Sequence, residues 1–152
     1  MEVTIRQADD DDAASLDVLR AQALKAALQT DYDRKTVGEL VATVDAELSS
    51  RLDDDRYLVV VAETEITIVA YAVADRQDGE LVTIMTSPDY QRSGFASAVL
   101  DRIETRVADA GHETLSATVP DPALAFFQAR GFDSAETATW HGLPANRVRK
   151  SL

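Results

Sequence analysis

The feature that most constrains the fold of this chain is a strand-like run that leads through a short turn directly into a helix. Residues 80–86 are rich in apolar and β-branched side chains, and residues 87–90 carry a turn signal that includes Pro88. From Phe95 onwards, apolar residues recur every three or four positions, as on one face of an amphipathic helix. A strand, a turn and a helix in this order predict an α/β domain.

The junction between the turn and the helix contains a single glycine, Gly94. The first backbone N–H groups of a helix have no intrahelical acceptor, and they lie at the positive end of the helix dipole. Such a junction can bind an anion, and Gly94 would let a ligand approach the backbone closely. An ordinary strand–turn–helix crossover also contains such a glycine, and neither the Walker pattern nor the three-glycine dinucleotide pattern is present. On these residues alone, the ordinary crossover is the simpler interpretation.

Two longer segments resemble motifs of the GNAT superfamily of N-acetyltransferases. Residues 82–100 are similar to the family's acetyl-CoA-binding motif, which is a strand, a Pro-x-Tyr turn, and Gln/Arg-x-x-Gly-x-Gly/Ala at the start of a helix. Residues 123–132 are similar to the family's Ala-x-x-Phe-Tyr-x-x-x-Gly-Phe segment. The order of elements along nearly the whole chain also matches. The resemblance implies the α/β GNAT fold: a mixed central sheet of about six or seven strands with a splayed parallel pair, flanked by about four helices.

The resemblance implies acetyl-CoA as co-substrate and implies no metal. The backbone N–H groups of residues 91–96 would hold the pyrophosphate, and Arg92 would either add positive charge there or face the solvent. Backbone groups of Ile84 and Thr86 would pair with the acetyl-pantetheine arm, in the wedge between the splayed strands. The implied cofactor-binding residues are Ile84, Met85, Thr86, Gln91, Arg92, Ser93, Gly94, Phe95, Ala96 and Phe127.

The implied reaction is direct attack of an acceptor amine on the thioester, which requires a neutral amine and a polarised carbonyl. Glu80 stands where some family members carry a catalytic glutamate, and the two-residue period of a strand would place it on one face with Val82, Ile84 and Thr86. A solvated carboxylate at the end of a strand is the alternative reading, and a water chain could act as the base instead. His141, in a predicted loop, is a further acid–base candidate, although a lone loop histidine is more often simply exposed.

The sequence departs from the family pattern at the position of the acid. The family usually has a tyrosine there that protonates the CoA sulfur, and this chain has Phe127; the asparagine often found six residues before the first phenylalanine is Pro120. A thiolate with a pKa of about 8.5 can leave without enzymatic protonation, and positioning alone can supply much of the rate. An acyl-CoA-binding sensor or regulatory module with little or no turnover is the alternative to a working transferase.

Two loops are implied as the acceptor site, because family members use the connector between the first two helices and the turn before the last strand. Here these are residues 30–35, with Tyr32, and residues 140–144, with Trp140. The resemblance therefore implies Tyr32 and Trp140 as substrate-binding residues for a primary amine of a small molecule or a protein. A homodimer is common in the family and is a further implied partner.

The composition indicates the surroundings in which the chain works. Its 152 residues suit a single domain over residues 1–152, and the absence of cysteine excludes disulfides and thiol nucleophiles. A net charge of −12 makes nucleic acid and anionic membranes poor partners. An acidic, lysine-poor sequence predicts a halophilic protein, with an acidic protein in ordinary cytoplasm as the alternative. With no signal-peptide pattern and no apolar run of membrane-spanning length, we expect a cytoplasmic location.

The remaining pattern predicts further elements of the same domain. The acidic residues 9–12 are predicted to form the solvated start of a first helix, and Thr36 with Glu39 has the pattern of a capping box. The strand at 114–119 follows a strand and a helix, which predicts a parallel crossover. Predicted strands cover residues 3–6, 57–62, 66–74, 80–86, 114–119, 135–140 and 147–152, and predicted helices cover residues 16–28, 36–48, 95–110 and 123–130.

Overall fold

The computed structural model describes residues 2–152, so that Met1, the first residue of the predicted domain, lies outside the described residues. The strands are β1 (Thr4–Gln7), β2 (Tyr57–Glu63), β3 (Ile68–Asp75), β4 (Glu80–Thr86), β5 (Thr114–Pro120), β6 (Asp133–Trp140) and β7 (Leu143–Ser151). The helices are α1 (Ala13–Leu28), α2 (Arg34–Thr43), α3 (Leu48–Leu52), α4 (Phe95–Asp109) and α5 (Leu124–Ala129).

The seven strands within residues 2–152 form one mixed sheet in the order β1-β2-β3-β4-β5-β7-β6. Neighbouring strands are antiparallel except β4 and β5, which are parallel as the strand–helix–strand order predicts. These two strands pair only where Glu80 meets Ser116 and Leu81 meets Ala117, and they separate beyond that point. The predicted mixed sheet with a splayed parallel pair is confirmed.

Helices cover both faces of the sheet, and the alternation of β2 shows which residues face each layer. Leu58, Val60 and Ala62 pack against the apolar side of α4. Val59 and Val61 pack on the opposite face, against α1 and α3. Strand β3 is buried along its whole length because it lies between the helices that cover the two faces of the sheet. Among the described residues, no helix combines the length and the apolar character that crossing a bilayer requires.

A β-bulge at Val82 changes the side-chain pattern of β4, because the register between β3 and β4 skips this residue. Val82 packs on the α1 face of the sheet, whereas Ile84 packs on the α4 face. The prediction that Glu80 shares one face with Val82, Ile84 and Thr86 is therefore wrong. A strict two-residue alternation cannot anticipate a residue inserted into the register.

The second predicted helix starts earlier and ends earlier than its sequence pattern indicates. Asp33 is the N-cap of α2, and its carboxylate accepts a hydrogen bond from the N–H of Thr36 at 2.7 Å. The predicted capping box at Thr36 is therefore wrong, because Thr36 already lies inside the helix. The apolar stripe was predicted to continue to Leu48, but the backbone leaves the helix after Thr43 and Leu48 starts α3.

The acidic run before α1 is only partly solvated. Asp9 caps a short 3₁₀ turn formed by residues 10–12. Asp12 is largely buried, and both of its carboxylate oxygens accept hydrogen bonds from Arg6, at 2.8 and 2.9 Å. The Arg6 guanidinium holds the pKa of Asp12 below its usual value. This ion pair corrects the prediction of a wholly solvated run, and it ties the start of α1 to β1.

The last two strands form a tight hairpin, longer than predicted, with a two-residue turn. Trp140 pairs with Leu143, and His141 and Gly142 lie between them with φ of 49° and 80°. Positive φ at both central positions is the geometry of a type I′ turn, which matches the twist of the flanking strands. Gly142 adopts this conformation without strain, because it has no Cβ.

Replacing Gly142 with alanine should destabilise the protein by about 1 kcal/mol, because a Cβ is unfavourable at positive φ. A Cβ built at Gly142 has no neighbour within 4 Å, so the backbone conformation alone accounts for the cost. Gly38, in α2, has equally open surroundings but no positive φ. Gly38→Ala should therefore stabilise the protein by about 1 kcal/mol. Denaturant unfolding of both variants checks this; equal shifts of the same sign would contradict it.

Candidate functional site

Two adjacent cavities lie beside the splayed strands. The first, which we call the α4 cavity, has a volume of about 390 Å³ and lies between the end of β4, the start of α4, and α5. The second, which we call the wedge cavity, has a volume of about 220 Å³ and lies between β4 and β5 beyond their last paired residues. Both are lined by Ala27, Ile84, Met85, Ala123 and Phe127. The two cavities therefore adjoin one another at these shared residues.

The α4 cavity brings together every residue that was predicted to bind the cofactor. These residues come from the end of β4, from the turn and first residues of α4, and from α5. All of the following line it: Ile84, Met85, Thr86, Gln91, Arg92, Ser93, Gly94, Phe95, Ala96 and Phe127.

The start of α4 presents free backbone donors to this cavity. Gly94 is the N-cap with φ of 82°, and its carbonyl accepts the first intrahelical bond, from the N–H of Ala98 at 3.0 Å. Arg92 also has a positive φ, of 63°, which turns the chain sharply before the helix. Within residues 2–152, no intrachain hydrogen bond uses the N–H groups of residues 91–97. Free donors at the positive end of a helix dipole can bind an anion, and a side chain at Gly94 would lie among them.

A second arginine, Arg130, contributes positive charge to the same cavity. It follows α5, its Nε donates to Ser97 Oγ in the first turn of α4 at 2.6 Å, and its guanidinium lies 4.1 Å from the centre of the Phe126 ring. No motif in the sequence points to Arg130, because its contact with Ser97 joins residues 33 positions apart. Its place next to Gly131, at the end of the second motif, was the one available signal.

Phe127 lines both cavities. Its side chain is 3% exposed and packs edge-on against Phe126 and Phe132, with ring centres 5.1 and 5.3 Å away. The ring lines both cavities, so a hydroxyl on it would lie at their junction. Phenylalanine has no proton to donate at this position.

Glu80 lies at the base of the wedge in a bidentate ion pair with Arg147 of β7. Its two carboxylate oxygens accept hydrogen bonds from the two terminal nitrogens of the guanidinium, at 2.9 and 2.5 Å. The ion pair raises the pKa of the Arg147 guanidinium. Arg147 also donates to Thr118 Oγ1 at 3.0 Å. Glu80 lines neither cavity, so it holds β4, β5 and β7 together rather than facing the wedge.

The residues predicted to bind the acceptor lie in different places. Trp140 lines the wedge cavity. Tyr32 does not line it, but packs on the same apolar cluster as Trp140 and Leu28 and lines a separate hollow between α1 and α2. Burial raises the pKa of Tyr32, and the charges of Asp121 and Asp31 raise it further. His141 is exposed in the hairpin turn with its ring 4.9 Å from that of Trp140.

No metal-binding group was found in the part of the chain that the structure describes. Residues 2–152 contain no cluster of three or more His, Asp or Glu side chains arranged to hold an ion.

Comparison with known sequences identifies a family model and several relatives. The family model described as an acetyltransferase (GNAT) domain matches residues 22–142. An amino-acid acetyltransferase from Pseudomonas fluorescens (strain Pf0-1) is 36% identical over 92 residues, which is 58% of this chain and 20% of the relative. One from Pseudomonas syringae pv. syringae is 35% identical over 77 residues, which is 48% of this chain and 18% of the relative. The chain spans about a fifth of the length of these curated relatives.

Three solved structures share the fold at low sequence identity. A GCN5-related N-acetyltransferase from Rhodopseudomonas palustris superposes with a TM-score of 0.87 at 20% identity, covering 100% of this chain and 97% of that one. The PaiA N-acetyltransferase from Thermoplasma acidophilum, solved with coenzyme A, superposes with a TM-score of 0.88 at 15% identity, covering 100% of both chains. YncA from Salmonella typhimurium, solved with acetyl-CoA, superposes with a TM-score of 0.70 at 20% identity, covering 100% of this chain and 95% of that one. With the family model matching residues 22–142, this chain belongs to the GNAT acetyltransferase family.

Proposed function

We propose that this chain transfers the acetyl group of acetyl-CoA to a primary amine by direct attack of the amine on the thioester. One observation carries the proposal: the α4 cavity, with its free N–H donors, adjoins the uncharged wedge cavity and shares five lining residues with it. An anionic cofactor and a neutral reaction centre can therefore share one site. The family to which the chain belongs supports acetyl-CoA as the co-substrate.

In the proposed complex, the pyrophosphate of acetyl-CoA accepts hydrogen bonds from the N–H groups of residues 91–96. Arg92 and Arg130 supply local positive charge, which matters because the whole chain carries a net charge of −12. The acetyl-pantetheine arm extends along Ile84 and Thr86 into the wedge. There the edge of β4 has no strand partner on β5, so its backbone groups are available to the ligand.

The amine attacks the thioester carbonyl, the C–S bond breaks, and the electron pair leaves with sulfur as the CoA thiolate. The proton of the attacking nitrogen passes to water, because Glu80 is occupied by Arg147 and lines neither cavity. The thiolate leaves without being protonated by a tyrosine, because thiolates are good leaving groups near neutral pH. Positioning of the two reactants then supplies most of the rate.

Replacing Glu80 with glutamine should affect stability more than rate. The lost ion pair is part-exposed, so we expect a loss of about 1 kcal/mol in the free energy of unfolding. We expect kcat/KM to change by less than about threefold, because water rather than Glu80 accepts the proton. Glu136→Gln, which removes an exposed carboxylate near Arg147, is the matched control and should change neither quantity. A loss of about a hundredfold or more in kcat/KM, together with loss of the acidic limb of the pH–rate profile, where the rate rises as a base loses its proton, would instead identify Glu80 as the base.

The proposed function is tested by incubating the purified protein with acetyl-CoA and a panel of primary amines in concentrated salt. Free CoA is followed with a thiol reagent, and the acetylated amine is identified by mass spectrometry. We expect amine-dependent release of CoA with a matching N-acetylated product. We choose concentrated salt because the acidic composition supports the further proposal of a halophilic, cytoplasmic protein. Failure to bind acetyl-CoA in a folded sample would refute the proposal.

An acyl-CoA-binding sensor with little or no turnover is the second candidate function. Phe127 favours it, because the junction of the two cavities has no proton donor on that ring. The same experiment separates the candidates. A sensor would bind acetyl-CoA and release no CoA above the rate of spontaneous hydrolysis with any amine.

A further inference from the structure

We propose that the acceptor is a primary amine on an uncharged apolar body about the size of one aromatic ring, and that amines bearing a nearby carboxylate are poor acceptors. The inference rests on the proposed function, because it takes the wedge cavity as the place where the amine meets the thioester. It concerns the substrate class of that site, which neither the family nor the fold determines.

The lining of the wedge cavity contains no charged side chain among the described residues. Leu24 and Leu28 of α1 form one wall, and Trp140 and Phe127 form others. Thr83 and Thr118 supply the hydroxyl groups of this lining. An apolar cavity of about 150 Å³ can hold a benzene ring, so a volume of about 220 Å³ suits one ring beside a small acetyl group. The body of the acceptor should therefore be apolar and compact.

The arginines near the site are placed to bind the cofactor or are already paired. Arg92 and Arg130 line the α4 cavity and not the wedge cavity. Arg147 lies behind Thr118, but its guanidinium is held by both oxygens of Glu80. A carboxylate on the acceptor would thus enter an apolar cavity without a free cation among the described lining residues. Burial of an unpaired carboxylate is strongly unfavourable.

Two carboxylates lie near the cavity, outside its lining. Asp121 lies between Pro120 and Pro122, and these two prolines line the wedge. The charges of Asp121 and Asp31 are also felt by Tyr32, which packs on the cluster containing Trp140. These carboxylates would attract the ammonium form of an amine and repel an acceptor carboxylate.

The apolar wall also favours the reactive form of the amine. Removal from water disfavours a charged ammonium group, so the amine loses its proton more readily as it enters the wedge. Only the neutral amine has the lone pair that attacks the thioester. The cavity therefore performs part of the task of a general base, at a site where Glu80 is paired with Arg147.

The test compares three acceptors of similar size: 2-phenylethylamine, L-phenylalaninamide and L-phenylalanine. The amide adds a neutral polar group at the α-carbon, and the amino acid adds a carboxylate at the same place. We expect kcat/KM to be highest for 2-phenylethylamine and at least about tenfold lower for phenylalanine, with the amide between them. L-glutamate, included because the curated relatives are named amino-acid acetyltransferases, should be poorer still.

A variant with an altered wall tests the location of the acceptor. Trp140→Ala should raise KM for 2-phenylethylamine by about tenfold, while the Kd of acetyl-CoA, measured by calorimetry, changes less than about twofold. Trp140→Phe keeps an aromatic wall, so its KM for 2-phenylethylamine should lie close to that of the wild type. Equal weakening of amine binding and of acetyl-CoA binding would show a general structural effect and would overturn the assignment of this wall to the acceptor.

The outcomes separate this inference from the proposed function. Faster turnover of phenylalanine or glutamate than of 2-phenylethylamine would overturn the inference and leave the acetyltransferase proposal intact. Tight binding of acetyl-CoA without acetylation of any apolar amine would also overturn it. A folded protein that does not bind acetyl-CoA would refute the proposed function itself.

Discussion

Replacing Gly94 with glutamate should weaken acetyl-CoA binding by about a hundredfold or more, because it places a side chain and a negative charge at the pyrophosphate site. Gly94 is the N-cap of α4, and the free N–H groups that surround it are the donors we assign to the pyrophosphate. A Cβ at Gly94 meets nothing within 4 Å in the protein itself, so the clash arises only with the ligand. Calorimetry with acetyl-CoA, on wild type and variant in the same salt, measures the effect.

Two alanine variants separate binding from backbone strain. Gly94 and Gly111 have positive φ, 82° and 103°, and a Cβ at either residue has open space around it. Each alanine should therefore cost about 1 kcal/mol of stability. Gly111 follows the end of α4 and lines neither cavity, so only Gly94→Ala should also weaken acetyl-CoA binding. Equal loss of binding in both variants would show that the effect comes from stability rather than from the anion site.

Phe127→Tyr should raise kcat by about tenfold, because it places a phenolic proton donor at the junction of the two cavities. In the proposed complex, we place the departing sulfur at this junction. A general acid often raises a rate by more than about tenfold. We expect a smaller gain here, because the CoA thiolate already leaves readily without protonation. The gain should be largest below the thiol pKa of about 8.5, where a protonated product is most favoured. Steady-state kinetics over a range of pH measure it.

Phe126→Tyr is the matched control, because Phe126 packs against Phe127 but lines only the α4 cavity. It should leave kcat unchanged. A gain in Phe127→Tyr with none in Phe126→Tyr would locate the departing sulfur at the junction. No gain in Phe127→Tyr would contradict this placement of the thioester. A first appearance of turnover in Phe127→Tyr would favour the sensor as the wild-type function.

The sequence was most informative where neighbouring residues carry both the fold and the site. Strand β4 has the predicted bounds, and α4 begins at Phe95 as its apolar periodicity indicates. The predicted cofactor-binding residues line one cavity because most of them lie in a single strand–turn–helix segment, where local backbone geometry places them. A site built mainly of backbone groups is recognisable from sequence because the turn that shapes it has a local residue pattern.

Interactions between distant residues were not predictable in the same way. The contact of Arg130 with Ser97 and the pairing of Glu80 with Arg147, 67 positions away, depend on how the elements pack. The bulge at Val82 depends on the register with β3, which no pattern within β4 reveals. Asp33 rather than Thr36 caps α2, because several residues near a helix start can serve as caps and only the backbone geometry selects one.

The short pairing between β4 and β5 divides the sheet into two halves, β1–β4 and β5–β7. They are joined by two residue pairs, the Glu80–Arg147 ion pair and the apolar core that both halves share with α4. In the free protein, this junction should open more easily than either half unfolds, and amide hydrogens along it should exchange early. A ligand arm that pairs with the free edge of β4 would add contacts at the junction of the halves. Acetyl-CoA would then be a folding cofactor as well as a reactant, and cellular lifetime would follow its concentration by mass action.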